Sequence, residues 1–404
     1  MKPNLRFTVL VAASALFVAC PTSSPKGDGG PPPGDGGSGD GGTAKPPVIA
    51  SARIVVAERK RIEMEGDLWV NAWAANGNAY FLWGDGTGQG PCYPAAEGTP
   101  PGCVNVDRAT CNDPGSPVVF CDDFCGIYPC DGSTCYDPCI ITSMGIFEQE
   151  GPIATFQGCG TDCIQTLHVP DGVPQFVYGQ DPGIGNKPTG LLALGDTLVL
   201  AGHRHEGADT VLEGYIAVSN DLGFTWTVAP GSPWTGDSHF KRMMLIDFGK
   251  GYALNEDGWV YGIGMGPPDV GMSDLYLARA PVERVAEYTA YQYYAGPTRG
   301  WDPDPEAAVP LGPKASFQGD AIYHPGIDRY LLLIPGRDYV IELWEAPDPT
   351  GPWTLAQRFE GEAYAPSIIA KDAGPTSFYF TAAGGSGVGD TYQLNINRIE
   401  LTLR

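Results

Sequence analysis

Short apolar runs separated by turn residues make up most of the chain, and the clearest pair lies between residues 67 and 88. Two runs rich in Trp, Val, Tyr, Phe and Leu flank Asn76-Gly77, and an Asn-Gly dipeptide favours the positive φ angles of a tight hairpin turn. Asp67 begins the first run and Asp85 ends the second. Because a hairpin brings its outer ends together, we expect both carboxylates at one rim, which we take as the candidate working face.

The same pattern, an apolar strand that follows a turn signal and ends in small or polar residues, occurs five times. These strands are residues 78–86, 196–205, 258–266, 329–337 and 377–385. Another strand follows each of them, at residues 143–148, 214–219, 274–279, 340–345 and 391–395. The five hairpins predict an all-β, five-bladed β-propeller, closed by pairing of residues 52–62 with residues 395–403. A β-sandwich is the alternative, and the best helical pattern, residues 281–291, is short.

An eight-residue motif supports the propeller. Residues 219–226 read Ser-Asn-Asp-Leu-Gly-Phe-Thr-Trp and fit the Asp-box pattern Ser-x-Asp-x-Gly-x-Thr-Trp. We expect its Ser and Asp side chains to bond the amides of their own turn and its Trp to pack between strands. The motif is therefore structural, and residues 351–354, Gly-Pro-Trp-Thr, look like a degenerate copy.

The N-terminus has the features of an export signal. A basic start precedes an apolar run from Phe7 to Ala19, which is too short to span a bilayer, and a small residue precedes Cys20 as in the lipobox of bacterial lipoproteins. We predict a signal peptide at residues 1–20 with Cys20 lipidated, a disordered Gly/Pro/Asp linker at 21–48 and one domain at 49–404. The protein would be lipid-anchored in the bacterial cell envelope, at the outer membrane or cell surface; an ordinary secreted protein is the alternative.

The other ten cysteines all lie between Cys92 and Cys163. An even number in one stretch of an exported chain predicts five disulfides. The surrounding residues are mostly Asp, Gly and Pro, so we assign residues 87–165 to a Cys-rich insertion in the first blade. A zinc site is the rival interpretation, although no His falls among these cysteines.

The strong negative charge limits the partners. A net charge of −23 and a pI near 4.4 argue against nucleic acid or an anionic membrane surface. Contact with a membrane is expected only through the N-terminal lipid, and the protein is expected to be a monomer that binds a polysaccharide or oligosaccharide.

Residues that begin first strands or end second strands share the predicted rim with the two aspartates. His203 and His205 point the same way along a strand, and they could bind sugar hydroxyls or a metal. Because no further ligands cluster with them, we expect no metal and no cofactor. Glu206 is a reserve candidate for a general acid. Aromatic rings beside polar groups suit sugar binding, and the remaining rim candidates are His239, Phe240, Ser316, Phe317, Arg337 and Tyr364.

Several of these segments resemble one family. They are Gly66-Asp67-Leu68 with Leu82-Trp83-Gly84-Asp85, SDLYLAR at residues 273–279 and HPGIDRYLL at residues 324–332. The family consists of bacterial five-bladed propellers, long described as a domain of unknown function and related in shape to furanosidase propellers. The resemblance runs from Ala52 to the C-terminus, interrupted by the insertion.

Some members of that family are endo-D-arabinanases, in which two aspartates matching Asp67 and Asp85 are implicated in catalysis. The resemblance therefore implies hydrolysis of a glycosidic bond in an extracellular polysaccharide such as an arabinofuranose polymer. This sequence has Gly86 where Thr commonly follows the second aspartate. Glycoside hydrolysis needs one carboxyl group as acid and another as base or nucleophile. A non-catalytic carbohydrate-binding or adhesion propeller is the alternative.

Overall fold

The computed structural model describes residues 45–88, 128–130, 133–135, 144–156, 164–165, 184–206, 210–223, 225–390 and 393–404. The predicted signal peptide, Cys20 and most of the linker lie outside these residues, and the predicted disulfides lie outside what the structure describes. The described chain forms β-strands and short 3-10 turns without an α-helix, which confirms the all-β prediction. Residues 281–291 hold two 3-10 turns, Val282–Arg284 and Tyr288–Ala290. The described part of the chain offers no helix that could span a membrane.

The N-terminal part of the described chain contains the first antiparallel group of strands, which we call repeat 1. β1 covers Ile49–Ile54, β2 Lys60–Trp73 and β3 Ala79–Gly88, and the 3-10 turn Val56–Glu58 joins the first two. β4 (Tyr128–Cys130) and β5 (Ser133–Cys135) pair with each other alone. β6 (Met144–Gln149), β7 (Ile164–Gln165) and the turn Ile153–Thr155 follow. Repeat 1 consists of β2, β3, β6 and β7. Residues 87–165, which were assigned to the insertion, therefore include β6 and β7 of this repeat.

Repeats 2 and 3 follow the same meander. Repeat 2 consists of β8 (Ile184–Leu194), β9 (Thr197–Glu206), β10 (Thr210–Ser219) and β11 (Thr227–Val228). Repeat 3 consists of β12 (Arg242–Asp247), β13 (Trp259–Met265), β14 (Ser273–Pro281), β15 (Gln292–Tyr294) and β16 (Trp301–Asp302). Lys250–Tyr252 and Pro305–Ala307 are 3-10 turns, and β17 (Lys314–Ala315) pairs with β14.

Repeats 4 and 5 complete the chain. Repeat 4 consists of β18 (Asp320–His324), β19 (Arg329–Pro335), β20 (Val340–Ala346) and β21 (Thr354–Glu362), with the turn Arg337–Tyr339. Repeat 5 consists of β22 (Ser367–Gly374), β23 (Ser377–Ala382) and β24 (Gln393–Leu403), and β1 is its fourth strand. All five predicted hairpins are present.

The first strands of the five repeats form a ring. β2 neighbours β8, β8 neighbours β12, β12 neighbours β18, β18 neighbours β22, and β22 neighbours β2. Within the described residues only β12 and β18 are hydrogen-bonded around this ring, with Ile246 opposite Ala321, so none of the sheets closes on itself. Five antiparallel repeats around five first strands is the arrangement expected of a propeller.

The hydrophobic core lies between neighbouring repeats. Val70 of repeat 1 packs in one cluster with Leu191 and Leu200 of repeat 2, whereas the adjacent Trp69 packs in another with Ile396 of repeat 5. Successive side chains of a strand point to opposite faces. Both faces of each central strand are therefore buried, which explains why the sequence shows continuous apolar runs there instead of strict alternation.

The N-terminal segment pairs with the last strand, as predicted, but in two separate pieces. β1 pairs with the end of β24, from Ile49 opposite Leu403 to Ile54 opposite Ile399. Residues 60–65 belong to β2 and pair with residues 393–396 at the start of β24. Just before β1, the Pro46 carbonyl accepts a hydrogen bond from Arg329 at 2.8 Å.

The Asp-box motif has the predicted structural role. The Ser219 hydroxyl accepts from the Gly223 amide at 2.7 Å, and Asp221 accepts from the Thr225 amide at 2.8 Å. Trp226 is buried in the cluster between repeats 1 and 2. The motif thus fixes the turn between β10 and β11.

Candidate active site

Asp67 lies where β2 changes partners. The segment before it pairs with β24, the segment after it pairs with β3, and the register shifts on both sides of the residue. Gly66 and Leu68 have φ angles of 148° and 54°. The prediction that Asp67 begins the strand is therefore wrong, since β2 starts at Lys60 and Asp67 lies at an irregularity inside it. Asp67 is paired with Gly84, so the hairpin does bring Asp85 to the same level of the sheet.

The Asp67 carboxyl group is buried, with the residue 1% exposed. Burial raises its pKa, while the positive charge of Lys187 and the nearby Tyr364 hydroxyl act in the opposite direction. Neither carboxyl oxygen makes a hydrogen bond of good geometry within the described residues. An ionised carboxylate in such a place is costly, so the protonated form is favoured.

Lys187 comes from β8, the neighbouring first strand, and it is also buried. Burial lowers its pKa, and the charge of Asp67 raises it again. The segment that carries it is held firmly: Gln318 donates to the Pro188 carbonyl at 2.8 Å, and the Thr189 hydroxyl lies 2.8 Å from His203 Nδ1. The lysine is therefore held next to Asp67 by contacts from repeats 2 and 4.

Three aromatic rings line the same end of the ring of strands. Phe317 stacks on Tyr364 with ring centroids 4.9 Å apart, and Tyr339 lies 6.2 Å from Tyr364. The Ala363 amide donates to the Tyr339 carbonyl at 3.0 Å, which joins the loops of repeats 4 and 5. The guanidinium group of Arg242 lies over the Phe317 ring at 5.9 Å. We call Phe317, Tyr339 and Tyr364 the aromatic wall.

Backbone strain collects at this end of the molecule. Of the eight non-glycine residues with positive φ in the described chain, four lie here: Leu68, Asp338, Tyr339 and Ala365. Each such residue costs free energy and persists only where its surroundings enforce it, which is common at functional sites. The two loops and the β2 irregularity are thus held in place by packing.

His203 is surrounded by other basic groups. Burial lowers its pKa, and His205, Arg242, Lys187 and Lys241 lower it further. These effects favour the neutral imidazole, and its Nδ1 is in contact with the Thr189 hydroxyl.

The structure brings together some of the predicted site residues and separates others. Asp67, His203, Phe317 and Tyr364 lie in one group, and the side chains of Asp85 and Glu206 fall outside the described residues. The other predicted members have different surroundings. Phe240 is fully buried in the core beside Tyr293, and His239 stacks on Tyr276 with ring centroids 3.8 Å apart. Ser316 donates to the Pro335 carbonyl at 3.2 Å, Arg337 is exposed, and the His205 ring lies 6.3 Å from that of His203.

Four members of the group were not anticipated from the sequence: Lys187, Arg242, Gln318 and Tyr339. Arg242 begins a strand, Gln318 and Tyr339 shortly precede one, and Lys187 lies near the start of β8, so their position in the hairpin pattern was the available signal. Among the described residues no three His, Cys, Asp or Glu side chains lie close enough to hold a metal ion. The group offers a carboxyl group of raised pKa, a buried lysine and an aromatic wall, which suit proton donation to a bound sugar.

One family model matches the chain over residues 184–386, and its description is domain of unknown function (DUF4185). That range is half of the chain. The protein belongs to this family. The match confirms the family indicated by the sequence motifs. Within this DUF4185 protein, Lys187, Arg242 and the aromatic wall lie inside the matched range, and Asp67 and Asp85 precede it.

The search of curated proteins returned no match. Among solved structures, similar chains include a candidate hydrolase from Bacteroides ovatus, with a TM-score of 0.49 and 10% identity over 84% of this chain and 87% of that one. A protein of unknown function from Dyadobacter fermentans has a TM-score of 0.45 and 11% identity, over 88% and 100%. An exo-β-1,3-galactanase from Clostridium thermocellum has a TM-score of 0.38 and 10% identity, over 84% and 62%.

Proposed function

We propose that this protein is a five-bladed propeller that hydrolyses glycosidic bonds of an extracellular polysaccharide. Asp67 is the general acid, and Asp85 is the second carboxyl group. Arabinofuranose polymers are the first substrates to test, in keeping with the family resemblance. The protein acts as a monomer anchored to the bacterial cell envelope through a lipid on Cys20.

The observation that carries the proposal is the environment of Asp67. Its carboxyl group is buried without a hydrogen bond of good geometry among the described residues, beside Lys187 and the Tyr364 hydroxyl. A buried polar group of this kind calls for an explanation, and a catalytic role is one. A carboxyl group that keeps its proton near neutral pH is what a general acid requires.

The reaction divides between two carboxyl groups. Asp67 donates its proton to the glycosidic oxygen as the bond to the leaving sugar breaks. Asp85 either activates a water molecule for attack on the sugar carbon or attacks it directly. Lys187 favours the anion that forms on Asp67 when the proton has left, and the aromatic wall packs against the sugar ring.

The test is sugar release by the purified full chain from arabinan, arabinogalactan and related polymers. Asp67→Asn and Asp85→Asn should each reduce hydrolysis at least about a hundredfold while the thermal unfolding profile stays intact. Asp348→Asn is the matched control, since Asp348 lies in the exposed turn after β20 and bonds only its own turn at Thr350. Full activity in both variants would show that the assignment of the acids is wrong, and Glu206 would be changed next.

A binding module without catalysis is the alternative of a different class. It predicts that polysaccharide is retained by the protein while no reducing sugar is released, and that Asp67→Asn does not weaken that retention. Measuring retention and sugar release in the same samples separates the two functions.

A further inference from the structure

Arg242 carries a buried positive charge without a carboxylate partner among the described residues. The residue is 2% exposed, and no Asp or Glu oxygen of the described chain lies within 4 Å of its guanidinium group. One terminal nitrogen donates to the Asp269 carbonyl at 3.1 Å, and its Nε has no acceptor. Buried guanidinium groups are normally paired, because removing their charge from water is expensive.

The nearest acid that could balance Arg242 already has other partners. The Asp269 carboxylate lies 3.1 Å from the ammonium group of Lys241 and accepts from the Val211 amide at 3.0 Å. Lys241 also donates to the Val211 carbonyl at 2.8 Å. The Asp269 carboxylate is therefore paired with Lys241, and its charge acts on Arg242 without forming an ion pair with it.

Three cations and two acids occupy this region. Lys187, Lys241 and Arg242 all act on His203. The charge of Asp67 acts on Lys187, and Asp269 is paired with Lys241, so these described groups leave one positive charge in excess. A local excess of positive charge, in a chain whose net charge is −23, favours an anionic ligand at this place.

We propose that the candidate active site binds a sugar unit that carries an anionic substituent, with Arg242 as the residue that receives it. The inference rests on the proposed function in taking a sugar as the ligand. A uronic acid carboxylate and a sulfate ester share the required chemistry, because a guanidinium group pairs with the two oxygens of either.

The aromatic wall gives the site its sugar-binding half. Phe317 is half-buried, stacks on Tyr364 and covers one face of the Arg242 guanidinium. For the anionic group to reach the guanidinium group, the Phe317 ring has to turn aside, while Tyr364 and Tyr339 form the surface on which the sugar ring packs. Contact with the rings excludes water and strengthens the charge pair.

Titration calorimetry on the full chain tests the inference with three oligosaccharides of equal length. They are a galacturonic acid trimer, its methyl ester, which has the same sugar without the charge, and a sulfated galactose trimer. We expect at least one charged trimer to bind about thirtyfold or more tightly than the methyl ester, with affinity falling as salt rises. Comparing the affinities of the galacturonic acid trimer and the sulfated galactose trimer shows which anionic group the site prefers.

Variants of Arg242 test whether this residue binds the anionic group of the sugar. Arg242→Gln should remove the preference for the charged trimer by weakening its binding far more than binding of the methyl ester, and Arg242→Lys should restore part of the preference. Arg284→Gln, which removes an exposed arginine paired with Glu287 outside the site, should keep the full preference. Equal weakening of charged and neutral trimers by Arg242→Gln would mean that Arg242 only supports Phe317, and the inference would be wrong.

Failure of this inference is distinguishable from failure of the proposed function. Equal affinity for charged and uncharged trimers, or no binding of any charged trimer, overturns the anionic specificity whatever the hydrolysis assays give. Loss of hydrolysis in Asp67→Asn would still support catalysis in that case.

Discussion

The burial of Asp67 costs free energy, and the same burial favours the proton that the proposed reaction requires. A carboxyl group without a good hydrogen bond would ordinarily be excluded from such a place, and here burial is only partly offset by Lys187 and Tyr364. The balance sets the fraction of Asp67 that holds a proton. The lysine keeps the pKa from rising as far as burial alone would take it, so changing the lysine should change the pH dependence of the reaction.

Replacing Lys187 by Met tests this balance. Removal of the positive charge raises the pKa of Asp67 further, because the charge of Lys187 is a lowering influence on it. Asp67 then keeps its proton to higher pH, and the alkaline limb of the pH–rate profile should move to higher pH. The measurement is kcat/KM for polymer hydrolysis across the pH range, which reports the free enzyme.

Lys250→Met provides the control, since Lys250 lies in a 3-10 turn of repeat 3 and is not among the groups that act on Asp67. Its profile should match that of the unchanged protein. An unmoved alkaline limb in Lys187→Met would show that another group sets the titration.

At the scale of elements, the hairpins were predictable and the site was only partly so. Asn76-Gly77 and the apolar runs around it determine a turn and two strands locally, and the structure has them at Lys60–Trp73 and Ala79–Gly88. The pairing of the single strand β2 with both β24 and β3 could not be predicted from the local sequence, because it depends on contact with the last strand of the chain. Lys187 and Arg242 carry no local motif, and only the ring of first strands brings them to Asp67.

The close approach of β3 to its neighbours depends on Gly84. A Cβ atom at this position would lie 3.0 Å from Pro188 Cδ and 3.2 Å from Leu68 Cδ1, both tighter than an ordinary contact. Gly84→Ala should therefore displace the Pro188 ring or the Leu68 side chain, which adjoin Lys187 and Asp67 along the chain, by a few tenths of an ångström. We expect lower kcat with a modest loss of stability, since catalysis depends on accurate placement of the acid. Steady-state kinetics and thermal unfolding check this, and unchanged kcat would contradict it.

At the scale of the whole molecule, the ring of first strands also buries two acids that the site does not use. Asp247 ends β12 and accepts from the Gly249 amide at 2.5 Å, and Asp320 begins β18 and accepts from Ser367 at 2.6 Å. Burial raises the pKa of Asp247 to about 8 and that of Asp320 to about 7. The folded protein therefore keeps protons that the unfolded chain releases near pH 4.

This difference makes stability fall as pH rises. Between the aspartate value of the unfolded chain and the raised values of the folded state, the folded state binds more protons, so the free energy of unfolding decreases with pH. Asp247→Asn cannot ionise and keeps an oxygen for the Gly249 amide. Relative to the unchanged protein, it should gain stability between pH 5 and pH 8, measured by urea unfolding.

Asp221→Asn is the matched control for this prediction. Hydrogen bonds from Thr225 lower the pKa of Asp221, so its carboxylate is ionised in both states above pH 5. Its stability difference from the unchanged protein should be constant over the range. A constant difference for Asp247→Asn as well would show that the buried acid does not titrate with folding.

One buried ion pair holds the start of β1 against repeat 4. Glu345, 1% exposed, accepts from the amides of Val48 at 3.1 Å and Ile49 at 3.0 Å, and it lies 3.6 Å from Arg329. Glu345→Gln removes the charge and leaves Arg329 buried without its partner, which should cost about 3–5 kcal/mol in urea unfolding. The amides of β1 should also exchange hydrogen faster, because β1 loses its anchor. Glu400→Gln, at an ion pair with the exposed Arg53, should cost less than about 1 kcal/mol. Similar small losses in both variants would mean that pairing with β24 alone holds β1 in place.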